Sequence, residues 1–299
     1  MKDKRQQKSR GGGHQNRAGP GGKTRRAKDG KPPRRPPGPK PTAPAGRTPE
    51  RGPSKADASL NGMLWLYGRH AVAAALANPA RKIRRVLATK NALEWLKQNG
   101  GSIPPSIMID AARPEEIDEL LKEGAVHQGL AALVEPLRRV QIEDACTPAE
   151  TGRPVLILDQ ITDPQNIGAL FRSAAAFGAR AVIVQDRRTP PLAGALAKAA
   201  AGAIEKIPCV EVVNIARAIE ELQSIGYFCA GLAGEAEAEI TALPAAPLAL
   251  VMGAEGDGLR RLVAQKCDQL FRIPIHAEME SLNVSTAAAI TLYEAQRSR

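Results

Sequence analysis

Hydrophobic and polar residues alternate in two rhythms over the second half of the chain. Short apolar runs bounded by Gly, Pro or charged residues predict buried strands at 155–158, 182–184, 210–213, 228–232, 248–252 and 270–275. Between these runs the apolar residues follow helical spacing, which predicts helices at 167–177, 193–204, 216–225, 259–266 and 284–297. Strands that alternate with helices indicate a mostly parallel sheet with helices on both faces. We therefore expect an α/β fold for residues 153–299.

A shorter pattern of the same kind precedes this region, over residues 63–136. It predicts helices at 69–77, at 92–98 and from 114 onward, and strands at 83–88, 107–109 and 130–134. Its length suffices for an independent small domain. Residues 137–152 are mostly polar and contain a Thr-Pro and a Thr-Gly pair, so we expect a linker between the two domains.

The first 60 residues differ from the rest in charge and composition. They hold 17 Lys and Arg against 4 Asp and Glu, a local charge of +13, whereas the remaining 239 residues hold 25 and 27, a charge of −2. They also hold 10 of the 24 prolines and 10 of the 27 glycines. Because such a segment cannot offset its ordering entropy by burial, we expect a disordered basic tail. A flexible polycation favours contact with RNA phosphates; a purely solubilising extension is the alternative.

Several other classes of protein are disfavoured by what the sequence lacks. No apolar run resembles a signal peptide or approaches the ~20 residues of a membrane span, so no membrane partner is expected. The four cysteines and four histidines show no metal-ligand spacing, so no metal is expected. Single, scattered cysteines suit a reducing cytoplasm.

Three segments of the second domain place small and polar residues at predicted strand-to-helix junctions. They are residues 166–172 (NIGALFR), 253–256 (GAEG) and 281–285 (SLNVS). In open α/β sheets, ligands bind in the crevice beyond the carboxyl ends of the strands, which is where these junctions lie. The glycines of residues 253–258 are spaced GxxGxG and occur late in the chain, which disfavours a Rossmann-type dinucleotide site.

The first segment contains a candidate helix cap and a candidate catalytic arginine. Asn166 suits an N-cap, because its side-chain oxygen can accept a hydrogen bond from a backbone N–H group. Arg172 shares a helix face with Gly168 and Ala169, and these small neighbours leave room for a ligand beside the guanidinium. A surface ion pair is the alternative role for Arg172.

The other two segments offer a glycine-rich turn and a row of small polar side chains. Gly253 permits close approach of the backbone to a ligand, and Glu255 places a carboxylate at the crevice. A turn that needs only its geometry is the alternative. Ser281, Asn283 and Ser285 exceed what one helix cap requires, so this set can also hydrogen-bond a ribose.

Together, and in this order, the three segments resemble the three motifs of the SpoU-type RNA 2′-O-ribose methyltransferases. Residues 67–72 (YGRHAV) and 126–129 (VHQG) resemble the N-terminal signature of the members that methylate a guanosine of 23S rRNA. The resemblance covers residues 67–299 and leaves out the tail. It implies that residues 63–136 form an RNA-binding domain similar to ribosomal protein L30e.

The resemblance also implies a fold, a cofactor and a quaternary structure. In this family the C-terminal segment of the α/β domain is threaded through a loop, which makes a deep trefoil knot. S-adenosylmethionine binds in the knot, and the resemblance assigns cofactor contacts to Gly231, Gly253, Ile273, Leu282 and Asn283. A homodimer is implied, with the site near the subunit interface.

For catalysis, the resemblance assigns Arg172 to the ribose 2′-hydroxyl. It assigns the placement of the reacting groups to Asn166, Glu255, Ser281 and Asn283. An arginine is a poor base because its pKa exceeds ~12, so Arg172 either activates the hydroxyl beside the cofactor sulfonium or orients the ribose and phosphate.

The expected activity is 2′-O-methylation of a guanosine in the peptidyl-transferase P loop of 23S rRNA. Methylation of transfer RNA or of another rRNA ribose is one alternative. A noncatalytic RNA-binding role in ribosome assembly is the other.

Overall fold

The computed structural model describes residues 62–100, 103–147, 149, 152–276 and 278–297. The predicted basic tail at residues 1–60 lies outside this range. Within the described ranges, no helix has the length and apolar character needed to cross a membrane.

The first domain is built on a four-stranded sheet with the order β1-β4-β2-β3. Its strands are β1 (Leu64–Tyr67), β2 (Ile83–Ala88), β3 (Ile109–Ala111) and β4 (Leu130–Val134). Helices α1 (Arg69–Ala77), α2 (Lys90–Asn99) and α3 (Pro114–Asp118) connect them. The apolar pattern alone did not predict β1. A four-residue apolar run is too short to distinguish a strand from other structures, and here the antiparallel pairing with β4 makes it one. β3 lies two residues later than predicted, in register with the end of β2.

Part of the predicted linker is ordered and packed. Residues 142–146 form the short helix α4 (Ile142–Cys146), in which Ile142 and Cys146 are buried. The Tyr227 hydroxyl donates a hydrogen bond of 3.0 Å to the Cys146 carbonyl oxygen. The expectation of a simple connector over 137–152 therefore missed a helix that is anchored on the second domain.

The second domain contains a seven-stranded sheet with the order β7-β6-β5-β10-β8-β11-β9, and every pairing in it is parallel. The strands are β5 (Val155–Leu158), β6 (Ala181–Gln185), β7 (Cys209–Val212), β8 (Phe228–Leu232), β9 (Ala238–Glu239), β10 (Leu248–Met252) and β11 (Gln269–Arg272). The helices are α5 (Pro164–Ala176), α6 (Gly194–Ala199), α7 (Ile215–Ser224), α8 (Arg261–Lys266) and α9 (Val284–Arg297). The predicted α/β class with a parallel sheet is confirmed.

Two predicted elements of this domain end clearly earlier in the structure. The helix predicted at 193–204 ends at Ala199, and a 3-10 turn (Ala203–Glu205) follows Gly202, whose φ is +90°. A Cβ on Gly202 would lie 2.6 Å from the Cβ of Ala74 on α1, so the break lets the two domains pack closely. The strand predicted at 270–275 ends at Arg272, where its pairing with β8 and β9 stops.

The two domains share one hydrophobic core and a buried ionic contact. The side chains of Arg81 and Glu205 are only 1% and 4% exposed. The Nε of Arg81 lies 3.1 Å from both carboxylate oxygens of Glu205, and its Nη1 donates to the Glu135 carbonyl oxygen at 2.9 Å. Asn78 donates to Glu205 Oε2 at 2.7 Å. The small domain is therefore fixed to the second domain by a fully satisfied charge pair.

Candidate active site

A cavity of about 490 Å³ lies at the carboxyl ends of β8, β10 and β11. Its lining includes Leu232 and Met252 at the ends of β8 and β10, and residues from the segments that follow β11 and precede α9. Its volume falls within the ~300–1,000 Å³ typical of small-molecule sites. Ligand crevices occur at this edge of parallel sheets because the loops that follow the strands meet there.

The hairpin after β10 forms one wall of the cavity. A Cβ on Gly253 would lie only 2.2 Å from the carbonyl carbon of Gly258, so no other residue fits at position 253 without moving the backbone. Ala254 and Gly258 exchange backbone hydrogen bonds of 3.1 and 3.0 Å, and Gly256 turns the chain with a φ of +83°. This wall therefore presents backbone groups together with the acidic side chains of Glu255 and Asp257.

An ion pair with a buried carboxylate anchors this hairpin to the neighbouring strand. Asp159 follows β5, is fully buried, and donates its N–H group to the Met252 carbonyl oxygen at 2.8 Å. Its carboxylate accepts hydrogen bonds from the Arg260 backbone at 3.1 Å and from the Arg260 Nε at 2.9 Å. Sequence reasoning missed this pair; the signal was an aspartate directly after a fully apolar strand.

Three predicted site residues from the three distant segments meet at the edge of the cavity. Asn283 Nδ2 donates to Glu255 Oε1 at 2.7 Å and lies 2.9 Å from Asn166 Oδ1. Asn166 Nδ2 donates to the same Glu255 oxygen at 3.3 Å, and the Val284 N–H group donates to it at 3.2 Å. We call Asn166, Glu255 and Asn283 the polar triad.

Helix capping explains how two members of the triad are oriented. Asn283 Oδ1 accepts hydrogen bonds from the backbone N–H groups of Ser285 and Thr286 at 2.9 and 3.3 Å, so it caps α9 while its amide nitrogen reaches Glu255. The cap of α5 is Asp163, not Asn166 as expected, because Asp163 Oδ2 accepts from the Asn166 backbone at 2.7 Å. The side chain of Asn166 is thereby free to contact the triad.

The triad leaves a carboxylate oxygen free for a ligand. Glu255 is exposed, and its Oε2 has no hydrogen-bond partner in the described part of the chain. Its other oxygen is held by neutral amide donors, so the carboxylate is oriented without being neutralised by a cation. The arrangement can accept a hydrogen bond from a hydroxyl group beside the cavity.

The other predicted site residues divide between the cavity and its surroundings. Gly253, Ile273, Ser281 and Leu282 line the cavity together with Glu255. Gly231 is outside the lining, packed against Leu270, Cys267 and Leu259.

Arg172 also lies outside the lining. It is exposed on α5, with no ion pair among the described residues. The structure thus brings Glu255 into the cavity lining, holds Asn166 and Asn283 against it from outside the lining, and leaves Arg172 on the surface of the helix.

Cys267 and Cys229 are protonated at neutral pH. Burial and, next, the nearby carboxylate of Asp268 raise the pKa of Cys267 to about 12. Burial also raises the pKa of Cys229 well above its ordinary value. Because the thiolate is the reactive form, neither thiol is a nucleophile here.

Two family models match: the SpoU rRNA Methylase family over residues 153–293, and the RNA 2′-O ribose methyltransferase substrate binding family over residues 65–140. The chain belongs to the SpoU methyltransferase family.

Similar proteins within this family share one name and match nearly all of their own length. The 23S rRNA (guanosine-2′-O-)-methyltransferase RlmB of Escherichia coli strain K12 is 40% identical over 245 residues, which cover 78% of this chain and 98% of that protein. The protein of the same name from Vibrio cholerae is 41% identical over 239 residues, 78% of this chain and 96% of its own length.

Solved structures share the fold at lower identity. The SpoU methyltransferase AviRb from Streptomyces viridochromogenes superposes with a TM-score of 0.68 at 22% identity, covering 82% of this chain and 95% of its own. An rRNA methyltransferase from Sinorhizobium meliloti gives a TM-score of 0.66 at 23% identity, covering 79% and 87%.

Proposed function

We propose that this protein transfers a methyl group from S-adenosylmethionine to the ribose 2′-hydroxyl of a guanosine in the peptidyl-transferase P loop of 23S rRNA. The relatives named for guanosine 2′-O-methylation of 23S rRNA match this chain over nearly their whole length, including the small domain. The observation that carries the proposal is the polar triad, which joins three distant segments beside one cavity.

The cavity fits the cofactor in size and chemistry. Its apolar lining, which includes Leu232, Leu270 and Ile273, suits an adenine ring, and the backbone at Gly253 and Leu282 offers hydrogen-bonding groups. When bound, S-adenosylmethionine supplies an electrophilic methyl group on a sulfonium sulfur.

We assign Gly231 an indirect role in cofactor binding, because it leaves space for Leu270, a residue of the cavity lining. A Cβ at this position would lie 2.6 Å from Leu270 Cδ2, and Leu270 lines the cavity. Asn283 contributes by fixing the start of α9, from which Leu282 reaches the cavity.

The triad positions the ribose for attack. The free oxygen of Glu255 accepts a hydrogen bond from a ribose hydroxyl, while Asn166 and Asn283 hold that carboxylate in place. Ser281, exposed in the cavity lining, is placed to hydrogen-bond the same sugar. Alignment of two reactants in this way can contribute ~7–11 kcal/mol to catalysis. Arg172 either activates the 2′-hydroxyl or orients the ribose and phosphate.

A homodimer is part of the proposal. Helix α9 exposes Tyr293 (55%) and Ile290 (37%), and the Tyr293 ring packs edge-on against Phe177 at the end of α5. α5 also carries the exposed Arg172, about one and a half turns before Phe177. A contiguous exposed apolar patch is typical of a protein contact surface.

The remaining expectations from the family resemblance complete the proposal. We assign residues 63–136 to an L30e-like RNA-binding domain, residues 137–152 to a connector and residues 153–299 to a trefoil-knotted catalytic domain. The enzyme acts in the cytoplasm, and the basic tail over residues 1–60 adds affinity for RNA that does not depend on sequence.

A methylation map of RNA from a strain that lacks the gene tests the proposal. We expect the 2′-O-methyl group to be lost from one P-loop guanosine and restored by the purified protein with S-adenosylmethionine. An unchanged P loop with a methyl group lost from transfer RNA or another rRNA ribose would reassign the substrate. Failure of the purified chain to bind the cofactor in a calorimetric titration would favour a noncatalytic binding role.

A further inference from the structure

A cluster of basic and aromatic side chains lies where α1 begins, at the junction of the two domains. The guanidinium carbon of Arg69 lies 5.5 Å from the centre of the Trp95 ring. The His70 ring meets the same tryptophan edge-on, with a centre-to-centre distance of 5.4 Å. The side chain of Lys198, on α6 of the second domain, runs beside Gly68, so that a Cβ on Gly68 would lie 3.2 Å from Lys198 Cγ.

The basic side chains of this cluster lack the carboxylate partners that other arginines of the small domain have. Arg81 and Arg84 each form an ion pair with a carboxylate. No carboxylate of the described residues lies within ion-pair distance of Arg69, His70 or Lys198. In addition, the Nε of Arg69 is buried and has no hydrogen-bond acceptor in that part of the chain. A buried donor without an acceptor is costly, so an acceptor supplied by a ligand would be stabilising.

The start of α1 adds further positive potential. Its N-cap residue is Gly68, which provides no side-chain cap, and no acidic residue occurs in its first turn. The Arg69 N–H group is satisfied by Gln128 Oε1 at 3.2 Å. The first N–H groups of a helix favour an anion, and here they adjoin two cationic side chains.

We propose that Arg69 and Lys198, one from each domain, form a phosphodiester-binding site for the substrate RNA. This inference rests on the proposed function, because it takes RNA as the substrate, and it adds where the RNA is held. The face of Trp95 orients the Arg69 guanidinium by a cation–π contact. Because the site spans both domains, an RNA bound there touches the small domain and the catalytic domain at once.

RNA affinity measured without turnover tests the site. Fluorescence anisotropy with a 23S rRNA fragment that contains the P loop would compare the full-length protein with Arg69→Gln and Lys198→Gln. For each variant we expect binding about 10-fold weaker, as for the loss of a charged hydrogen bond. The slope of log affinity against log salt should become shallower by about 0.7–0.9 for each phosphate that the variant no longer neutralises. Calorimetric affinity for S-adenosylmethionine should not change.

Lys97→Gln is the matched control. Lys97 is exposed in the last turn of α2, near the cluster in sequence, and its replacement removes the same charge. Equal RNA affinity and salt slope for the control and both site variants would overturn the site, whatever the methylation map shows. A wild-type protein that binds the fragment but leaves its guanosine unmethylated would overturn the proposed function alone. If Arg69→Gln lowers the melting temperature, Lys198→Gln decides the outcome.

Discussion

Two glutamates in the molecule are both held by asparagine side chains but lie in opposite surroundings. Glu205 lies between the domains, where its side chain is 4% exposed and is held by Arg81 and Asn78. Glu255 lies at the cavity, exposed, and is held by the neutral amides of Asn166 and Asn283. Both carboxylates are held in position, but of the two only Glu205 has a counter-charge among the described residues.

The difference follows from the cost of removing a charge from water. A buried carboxylate requires a cation and a full set of hydrogen bonds, and removal of its partner leaves an uncompensated charge. An exposed carboxylate has no such requirement, so amides can orient it while one oxygen stays free. We infer that the contact at Glu205 serves stability and domain orientation, and that the contact at Glu255 serves ligand placement.

The largest effect is expected at Glu255, on activity rather than stability. Glu255→Gln keeps the shape of the side chain but removes its charge, so the ribose hydroxyl is held less well. We expect methyl transfer to fall about 100-fold, the scale of a misplaced reacting group. The free energy of unfolding should change by less than about 0.5 kcal/mol, as for most exposed sites. Single-turnover rates and urea unfolding give the two values.

Glu278→Gln is the control for this prediction. Glu278 is an exposed acid in the segment that precedes α9, outside the cavity lining. Its replacement removes one negative charge and should leave turnover unchanged. If both variants lose activity equally, the loss reflects net charge and the triad has no special role.

The inverse pattern is expected at the domain junction. Arg81→Met leaves Glu205 buried without a counter-charge, so we expect a loss of about 3–5 kcal/mol in the free energy of unfolding. The double variant Arg81→Met with Glu205→Leu should recover most of this loss, because no buried charge remains. Urea unfolding of the three proteins measures both effects.

Arg85→Ala provides the reference for that measurement. Its ion pair with Asp110 is about half exposed on both sides, so its loss should cost at most about 1 kcal/mol. Equal destabilisation by Arg81→Met and Arg85→Ala would contradict the view that burial sets the importance of the Glu205 contact.

The sequence predicts well those structural features that are determined by residues close together along the chain. The strands at 155–158, 228–232 and 248–252 have the predicted boundaries, because a continuous apolar run between polar breaks is typical of a strand buried on both faces. The meeting of Glu255 with Asn283 also follows from local rules, since strand ends of a parallel sheet lie at one edge.

The missed features depend on distant partners. The ion pair between Asp159 and Arg260 joins residues 101 positions apart, and no local pattern selects that arginine. The interruption after Ala199 comes from the close packing of Gly202 on α1, a contact between domains. The exposed position of Arg172, away from the cavity lining, could not be derived from helical spacing either, because spacing does not say which neighbour covers a face.

The smallest effect concerns a third glutamate, which faces a like charge. Burial and then the nearby carboxylate of Glu143 raise the pKa of Glu221 above its ordinary value of 4.5. The folded state therefore holds this proton more tightly than the unfolded state does, so stability falls as pH rises from about 4 through the raised pKa. Glu221→Gln should raise the melting temperature on the order of 1 °C at pH 7 and leave it unchanged near pH 4.

For the adjacent Glu220 we expect a change in melting temperature of the opposite sign. It forms an exposed ion pair with Lys266, so Glu220→Gln removes an attraction and should lower the melting temperature slightly at pH 7. Glu220 pairs with a cation, whereas at Glu221 burial and the carboxylate of Glu143 outweigh the cation Arg217. Both changes remove one negative charge. Shifts of the same sign for both variants would show that overall charge, rather than the local partner, sets the stability of these carboxylates.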